Sequence, residues 1–197
     1  FDATDGNNTD LIFDVSRPSS SYDRYRGKIK VRYTDSSNIW VINTLPLEHY
    51  AWGAGEFTGT GPMEHSKVMS TIFRTYGYWY VKYATKYLPW GFKIRSDSGS
   101  QIYRGYDWEV LYPNVRKAAE NTRGIIVTYS SDAAITPYSS WTDGRTRSYE
   151  ERWGSTAYPW CKSVSDPYGN YNDPYWGNPY KTTAELECED SEPGLAA

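Results

Sequence analysis

The sequence predicts an α+β fold, with central helices surrounded by antiparallel β-hairpins. Three observations lead there. Residues 28–33 alternate polar and apolar side chains, the period of a half-buried strand. From Pro62 to about Ala84, apolar residues recur at three- and four-residue steps, the period of a helix. Clusters of Gly, Asn, Asp, Ser and Pro separate these short segments.

Residues 1–23 are polar and rich in Asp, Asn and Ser, and are expected to form a flexible lead-in. Lys28 to Tyr33 and Ile39 to Asn43 read as two strands joined by the turn residues Thr34 to Asn38. Leu45-Pro46-Leu47-Glu48 opens a short helix, expected to reach Gly55 or Glu56. Thr58 to Gly61 is a loop. In the helix from Pro62, the stripe Val68, Ile72, Phe73, Tyr76, Tyr80 and Tyr83 is expected to face the core. Lys67 and Arg74 are seven apart, so on that helix they share a face, offset by roughly 20°.

Phe92 to Arg95 reads as a short strand, and Asn114 to Thr122 as a helix closed by Gly124. Ile125–Tyr129 and Ala133–Tyr138 read as a second hairpin, turning at Ser131-Asp132. Beyond Trp153 the chain reads mostly as loop, with recurring Pro-Tyr turns at Pro167, Pro174 and Pro179. One domain is expected over residues 24–188, followed by a frayed tail at 189–197.

Composition narrows the function. The net charge is only −3 and no basic stripe stands out, which argues against nucleic acid as a partner. There is no run of eighteen apolar residues, so no membrane span is expected. The chain opens at Phe1 without a charged and apolar leader, and the expectation is an exported chain whose signal segment lies outside this sequence. There are 20 Tyr and 9 Trp against 5 Phe. Rings with a polar tip suit half-wet surfaces, either a carbohydrate site or a Tyr-rich exterior.

Two cysteines in an exported chain suggest a disulfide, Cys161 to Cys188, closing a Pro-, Gly- and Asn-rich loop. On the chain-entropy model it is worth about 3–4 kcal/mol. A zinc site joining these cysteines to His49 and His65 is the weaker alternative, because neither pair has metal-ligand spacing. A Ser-His-Asp triad is disfavoured, since neither histidine accompanies a nucleophile motif. No metal or organic cofactor is expected.

Residues 45–76 read LPLEHYAWGAGEFTGTGPMEHSKVMSTIFRTY. This stretch resembles the signature of the stage II sporulation protein D family: a Leu-Pro-Leu-Glu opening, a helical Gly, a closing Glu, then Pro, Glu, Lys and Arg-Thr-Tyr. Here these are Glu56, Pro62, Glu64, Lys67 and Arg74-Thr75-Tyr76. The resemblance extends over about residues 24–170. Ser100-Gln101-Ile102-Tyr103-Arg104-Gly105 is similar to a family S-Q-x-Y-x-G element. Tyr138 to Thr146 stands where the family has Y-x-S-x-S-G-G-x-T, and Trp153-Gly154 through Asp166-Pro167 resembles its closing segment. Three positions depart from the pattern. Met69 replaces a Gln, Thr142 a Ser, and Asp143 a Gly.

The resemblance implies a role outside the cytoplasm, in the extracellular space or cell envelope, on peptidoglycan glycan strands. It implies a lytic transglycosylase that cuts the MurNAc–GlcNAc bond and leaves a 1,6-anhydro end, with Glu56 in the catalytic position. The chemistry is consistent with the residue type. Glycoside cleavage needs a carboxylic acid to protonate the leaving oxygen. When the sugar's own C6 hydroxyl is the nucleophile, one carboxyl can serve as acid and then as base. On residue type alone, Glu56 also reads as a surface carboxylate at a helix end.

Lys67 and Arg74 are candidates to bind the lactyl carboxylate or orient Glu56, and otherwise form a solvated charged face. Gln101, Ser140 and Thr142 are candidates to bind sugar hydroxyl and acetamido groups, and otherwise satisfy local turns. Asp143 is expected at the mouth of the same site, where it would alter substrate fit. Glu48 and Glu64 read as structural. Two rival readings stand beside the enzyme: a non-catalytic wall-binding or amidase-enhancing module, with a cell-wall amidase as partner, and a surface structural domain built on the Tyr-rich loops.

Overall fold

The computed structural model describes residues 12–16, 20–33, 38–139, 142 and 145–166. The chain divides into two compact units, residues 1–134 and 135–197, and each is described by itself. The fold is α+β.

In the first unit, Ile12–Asp14 (β1) pairs antiparallel with Arg24–Arg26 (β2), with Phe13 opposite Tyr25. Part of the segment expected as a lead-in is therefore a strand, and its Phe13 and Val15 pack on the core. Lys28–Tyr33 (β3) pairs antiparallel with Ile39–Thr44 (β4), Val31 opposite Val41, as the alternation predicts. The turn between them, 34–37, lies outside the described residues.

Leu47–Trp52 forms α1, shorter than expected. The reason lies in the backbone groups that follow it. The Gly53 carbonyl accepts from the Arg104 amide (2.9 Å), and the Gly55 amide donates to the Ile102 carbonyl (2.9 Å). The chain from Gly53 thus leaves the helix to pair with a second segment, with Ala54 bridged to Tyr103.

Met63–Tyr83 forms α2, bounded by Pro62 and Ala84 as predicted. Its buried face differs from the expected apolar stripe. Val68 and Tyr83 are exposed, whereas Ser66, Ser70, Phe73, Arg74, Thr75 and Gly77 are enclosed. Small side chains let neighbouring elements approach closely. A Cβ on Gly77 would stand 2.6 Å from Cε1 of Tyr50, so that helix position requires Gly for packing.

A 3₁₀ turn at Leu88–Trp90 follows. The expected strand at Phe92–Arg95 is absent from the ladders. Phe92 is instead held by rings, 5.1 Å from both Trp40 and Tyr87. Tyr106–Leu111 (α3), which the periodicity did not reveal, and Pro113–Asn121 (α4) complete the helices of this unit. The second hairpin is shorter than expected: Thr128–Tyr129 (β5) pairs with Asp132–Ala133 (β6), and the turn is Ser130-Ser131. Both serines have positive φ (49° and 68°), the two-residue turn geometry that matches strand twist.

The core joins Tyr25, Ile29, Tyr50, Ala54, Phe57, Phe73, Tyr103, Trp108 and Val115. Tyr103, Tyr50 and Phe73 stack in sequence at 5.2 and 4.8 Å. Several of the many tyrosines therefore build the interior, and two of their hydroxyls find acceptors there. Tyr50 donates to Gln101 (2.6 Å) and Tyr25 to the Tyr22 carbonyl (2.8 Å).

In the second unit, Tyr149–Trp153 forms α5. A capping box starts it: Ser148 Oγ accepts from the Glu151 amide, and Glu151 accepts from the Ser148 amide. Its packing is aromatic, with Tyr149 at 4.5 Å from Trp153 and 4.4 Å from Tyr158. Among the described residues, no helix is long and apolar enough to cross a membrane.

Candidate functional site

Glu56 follows the turn at the end of α1 and is half-buried. Its neighbours explain why it is fixed. Ala54 is fully enclosed, and Phe57 is buried, its carbonyl accepting from the Trp108 indole (3.1 Å). Between these anchors, residues 53–55 lie against 102–104. The Glu56 carboxylate then turns to this partner segment, and Oε1 accepts the Ile102 amide at 2.6 Å.

The close approach depends on glycine. A Cβ on Gly55 would stand 2.5 Å from Cγ of Arg104 and 2.9 Å from Cγ2 of Ile102. One on Gly53 would stand 2.5 Å from the Tyr103 ring and 2.9 Å from the Gly105 nitrogen. Gly105 carries φ +72°, and a Cβ there would press on the Arg24 carbonyl at 2.7 Å. Three glycines thus bring the Glu56 loop, the 102–104 segment and β2 into contact.

The other expected site residues fall in different places. Arg74 is fully enclosed and is not available to a ligand. Its guanidinium donates to Glu48 Oε2 through Nη2 (2.9 Å), to the Ala119 carbonyl (2.7 Å), and to the Ile125 carbonyl (3.2 Å). Glu48 Oε1 accepts from the Gly124 amide (2.9 Å). Arg74 and Glu48 together tie α1, α2 and the end of α4. Glu48 is thus a structural tie between these elements.

Lys67 lies nearer the surface, donating to Glu64 at 2.7 Å, with 81 % of the Glu64 side chain exposed. Such pairs contribute about 0–1 kcal/mol and exchange readily. Gln101 is fully enclosed, its Oε1 holding the Tyr50 hydroxyl inside the core. Met69 packs against the core, where a thioether fits and an amide would need partners.

Thr142 belongs to the second unit, where its hydroxyl donates to Asp166 at 2.8 Å. Ser140 and Asp143 lie outside the described residues, and so does Cys188. Among the described residues Cys161 has no disulfide partner; it is half-buried, 3.9 Å from the Ile135 carbonyl, and burial pushes its thiol pKa up. Among the described residues, no group of His, Cys, Asp and Glu is arranged to hold a metal.

Sequence reasoning missed the backbone amide of Ile102 as the partner of Glu56. No residue-type signal marks an amide as a positioning group. An apolar cavity of about 560 Å³ also lies in this unit, lined by Tyr25, Ile29, Trp40, Ile42, Tyr50 and Phe92 among others, and Glu56 is not part of its wall.

Comparison of the sequence with known proteins relates it to a family. The chain is 29 % identical over 156 residues to an uncharacterized protein of Brachyspira hyodysenteriae (strain ATCC 49526 / WA1), covering 78 % of this chain and 40 % of that protein. It is 26 % identical over 158 residues to the stage II sporulation protein D of Bacillus subtilis (strain 168), covering 74 % of this chain and 46 % of that protein. The chain thus spans less than half the length of these curated relatives. The stage II sporulation protein model matches residues 35–129, a stretch that contains Glu56, its Ile102 partner and the Arg74–Glu48 clamp. Through this segment, just under half of the chain, the protein is similar to the stage II sporulation protein (SpoIID) family.

Proposed function

We propose that this chain cleaves peptidoglycan glycan strands by a lytic transglycosylase route, with Glu56 as acid and then base. Similarity to this family supports a role in sporulation and the cell wall. The observation that carries the finer reading is the fixed, half-buried carboxylate of Glu56 on the Ile102 amide. One oxygen is held by the backbone, so the other is left to work on a substrate. In the reaction, Glu56 gives its proton to the glycosidic oxygen between MurNAc and GlcNAc as the C1–O bond breaks. The MurNAc C6 hydroxyl then attacks C1 and returns its proton to Glu56. The products are a new GlcNAc hydroxyl and a 1,6-anhydro-MurNAc end, with no water consumed. Lys67, whose exposed pair with Glu64 exchanges readily, is retained as a cation that meets the strand. Ser140, Thr142 and Asp143 are retained as candidate sugar contacts of the second unit. Action in the cell envelope or outside the cell follows from that substrate.

A second reading is a non-catalytic wall-binding module that assists a cell-wall amidase. The enclosure of Arg74 and Gln101 favours it, because it leaves fewer polar groups for transition-state contacts. Mass spectrometry of purified glycan strands incubated with the protein separates the two. Anhydro ends support transglycosylation, reducing ends would mean hydrolysis, and intact strands that still bind the protein would establish the second reading.

A further inference from the structure

We infer that Arg104 is a substrate-positioning residue that binds the free lactyl carboxylate of the muramyl sugar placed over Glu56. The inference rests on the glycan-cleaving reading and assigns the cation that reads the strand's charge.

The backbone around Arg104 is fixed on both sides. Its amide donates to the Gly53 carbonyl at 2.9 Å, Tyr103 before it is buried, and Gly105 after it is wedged against β2. Its stem crosses the face of Gly55, the residue next to Glu56, closely enough that a Cβ there would meet Cγ of Arg104 at 2.5 Å. The guanidinium sits 5.1 Å from the centre of the Tyr22 ring. That ring is itself seated edge-on against Trp108 at 5.4 Å. A cation over a ring face is attracted by the ring's quadrupole, which steadies the guanidinium while its N–H donors remain for an acceptor.

Its charge is otherwise unused. Arg24, Arg26, Lys67, Arg74 and Arg95 each pair with a carboxylate, but Arg104 makes no such pair among the described residues. A half-buried Arg with no carboxylate partner among the described residues, its stem against the residue before the proposed acid, is the cation assigned to a substrate carboxylate. Arg74, the sequence-based candidate for that task, is enclosed.

On a glycan strand, carboxylates come from two sources. A muramyl sugar stripped of its peptide exposes its lactyl carboxylate, whereas a substituted one carries its carboxylates out along the peptide. The Arg104 stem lies against Gly55, the residue before Glu56, and a carboxylate carried on the sugar itself stays nearer the cleaved bond than one carried out along a peptide, so the lactyl group is the one assigned.

The test uses Glu56→Gln protein, which binds without turnover, titrated with three ligands. These are peptide-free GlcNAc–MurNAc oligomers, the same oligomers carrying stem peptides, and GlcNAc-only oligomers. Adding Arg104→Ala is expected to weaken binding of the peptide-free strand about tenfold and leave GlcNAc-only binding unchanged. Arg104→Lys is expected to recover part of the loss, since it keeps the charge and loses the fork. An equal loss on all three ligands, no loss on any, or a loss confined to peptide-bearing strands would overturn the assignment. Thermal unfolding of each variant guards against a folding artefact, and an Arg104→Gln variant replaces Arg104→Ala if the latter unfolds. Cleavage by the unsubstituted protein is read separately. Anhydro products with an unaffected Arg104→Ala titration reject only the arginine assignment, whereas the absence of products rejects the reaction itself.

Discussion

The Ile102 amide donates to Glu56 Oε1 at 2.6 Å, so the carboxylate of one loop is positioned by the backbone of a segment 46 residues away.

Glu56→Gln keeps an oxygen for the Ile102 amide but carries no transferable proton. The variant is expected to melt within a degree or two of the parent and to lose cleavage by about 10²–10⁴-fold, the usual contribution of a general acid. Product release measured by mass spectrometry, alongside a melting curve, checks both. Turnover at the parent rate would move the acid to another residue.

Gly55→Ala places a methyl against Arg104 Cγ and Ile102 Cγ2. The segments must separate, at about 1–3 kcal/mol for overpacking. Cleavage is expected to fall more than stability, because the displaced Ile102 amide no longer fixes Glu56. Urea unfolding and initial rates measured on the same sample compare the two losses. A rate that follows the folded fraction alone would reject the positioning role.

Arg74→Met leaves Glu48 without its guanidinium and the Ala119 and Ile125 carbonyls without a donor. Breaking a buried pair of this kind costs about 3–5 kcal/mol. The expected result is a large drop in the denaturation midpoint, not a selective loss of substrate affinity. A variant that folded normally but bound glycan poorly would restore Arg74 to the site.

Asp132 accepts from Lys82 and from the Tyr83 hydroxyl, and these bonds hold its carboxyl down at about 2, from an ordinary 3.8. The unfolded chain therefore takes up this proton first as pH falls. Its contribution is complete above the ordinary value and is lost as pH falls toward 2. Asp132→Asn is expected to flatten the acid side of the stability profile, with a smaller difference in high salt because the pair is exposed. Unfolding series at several acidic pH values check this. Parallel profiles for parent and variant would contradict it.

The sequence by itself determined the local elements and the identity of the candidate acid. Alternation over Lys28 to Tyr33 set a strand and its partner, and Pro62 and the three- and four-residue spacing set α2 almost to the residue. Period and turn chemistry are properties of neighbours along the chain, so they can be read there. The ordered motifs around Glu56 pointed to the SpoIID family for the same reason.

Only the tertiary structure decided what each side chain does. Lys67 and Arg74 share a helix face by spacing, yet one pairs near the surface and the other is sealed beneath α1 and α4. Which face of α2 is buried was settled by the fit of Gly77 to the Tyr50 ring and by the polar partners waiting for Arg74. By sequence Gly53 and Gly55 fall within the first helix or at its end, whereas in the structure their lack of a Cβ lets the 102–104 segment touch the Glu56 loop. These outcomes depend on contacts between residues far apart in the chain. Local sequence carries no period for them, because the free energy of each placement is fixed by its partners across the core.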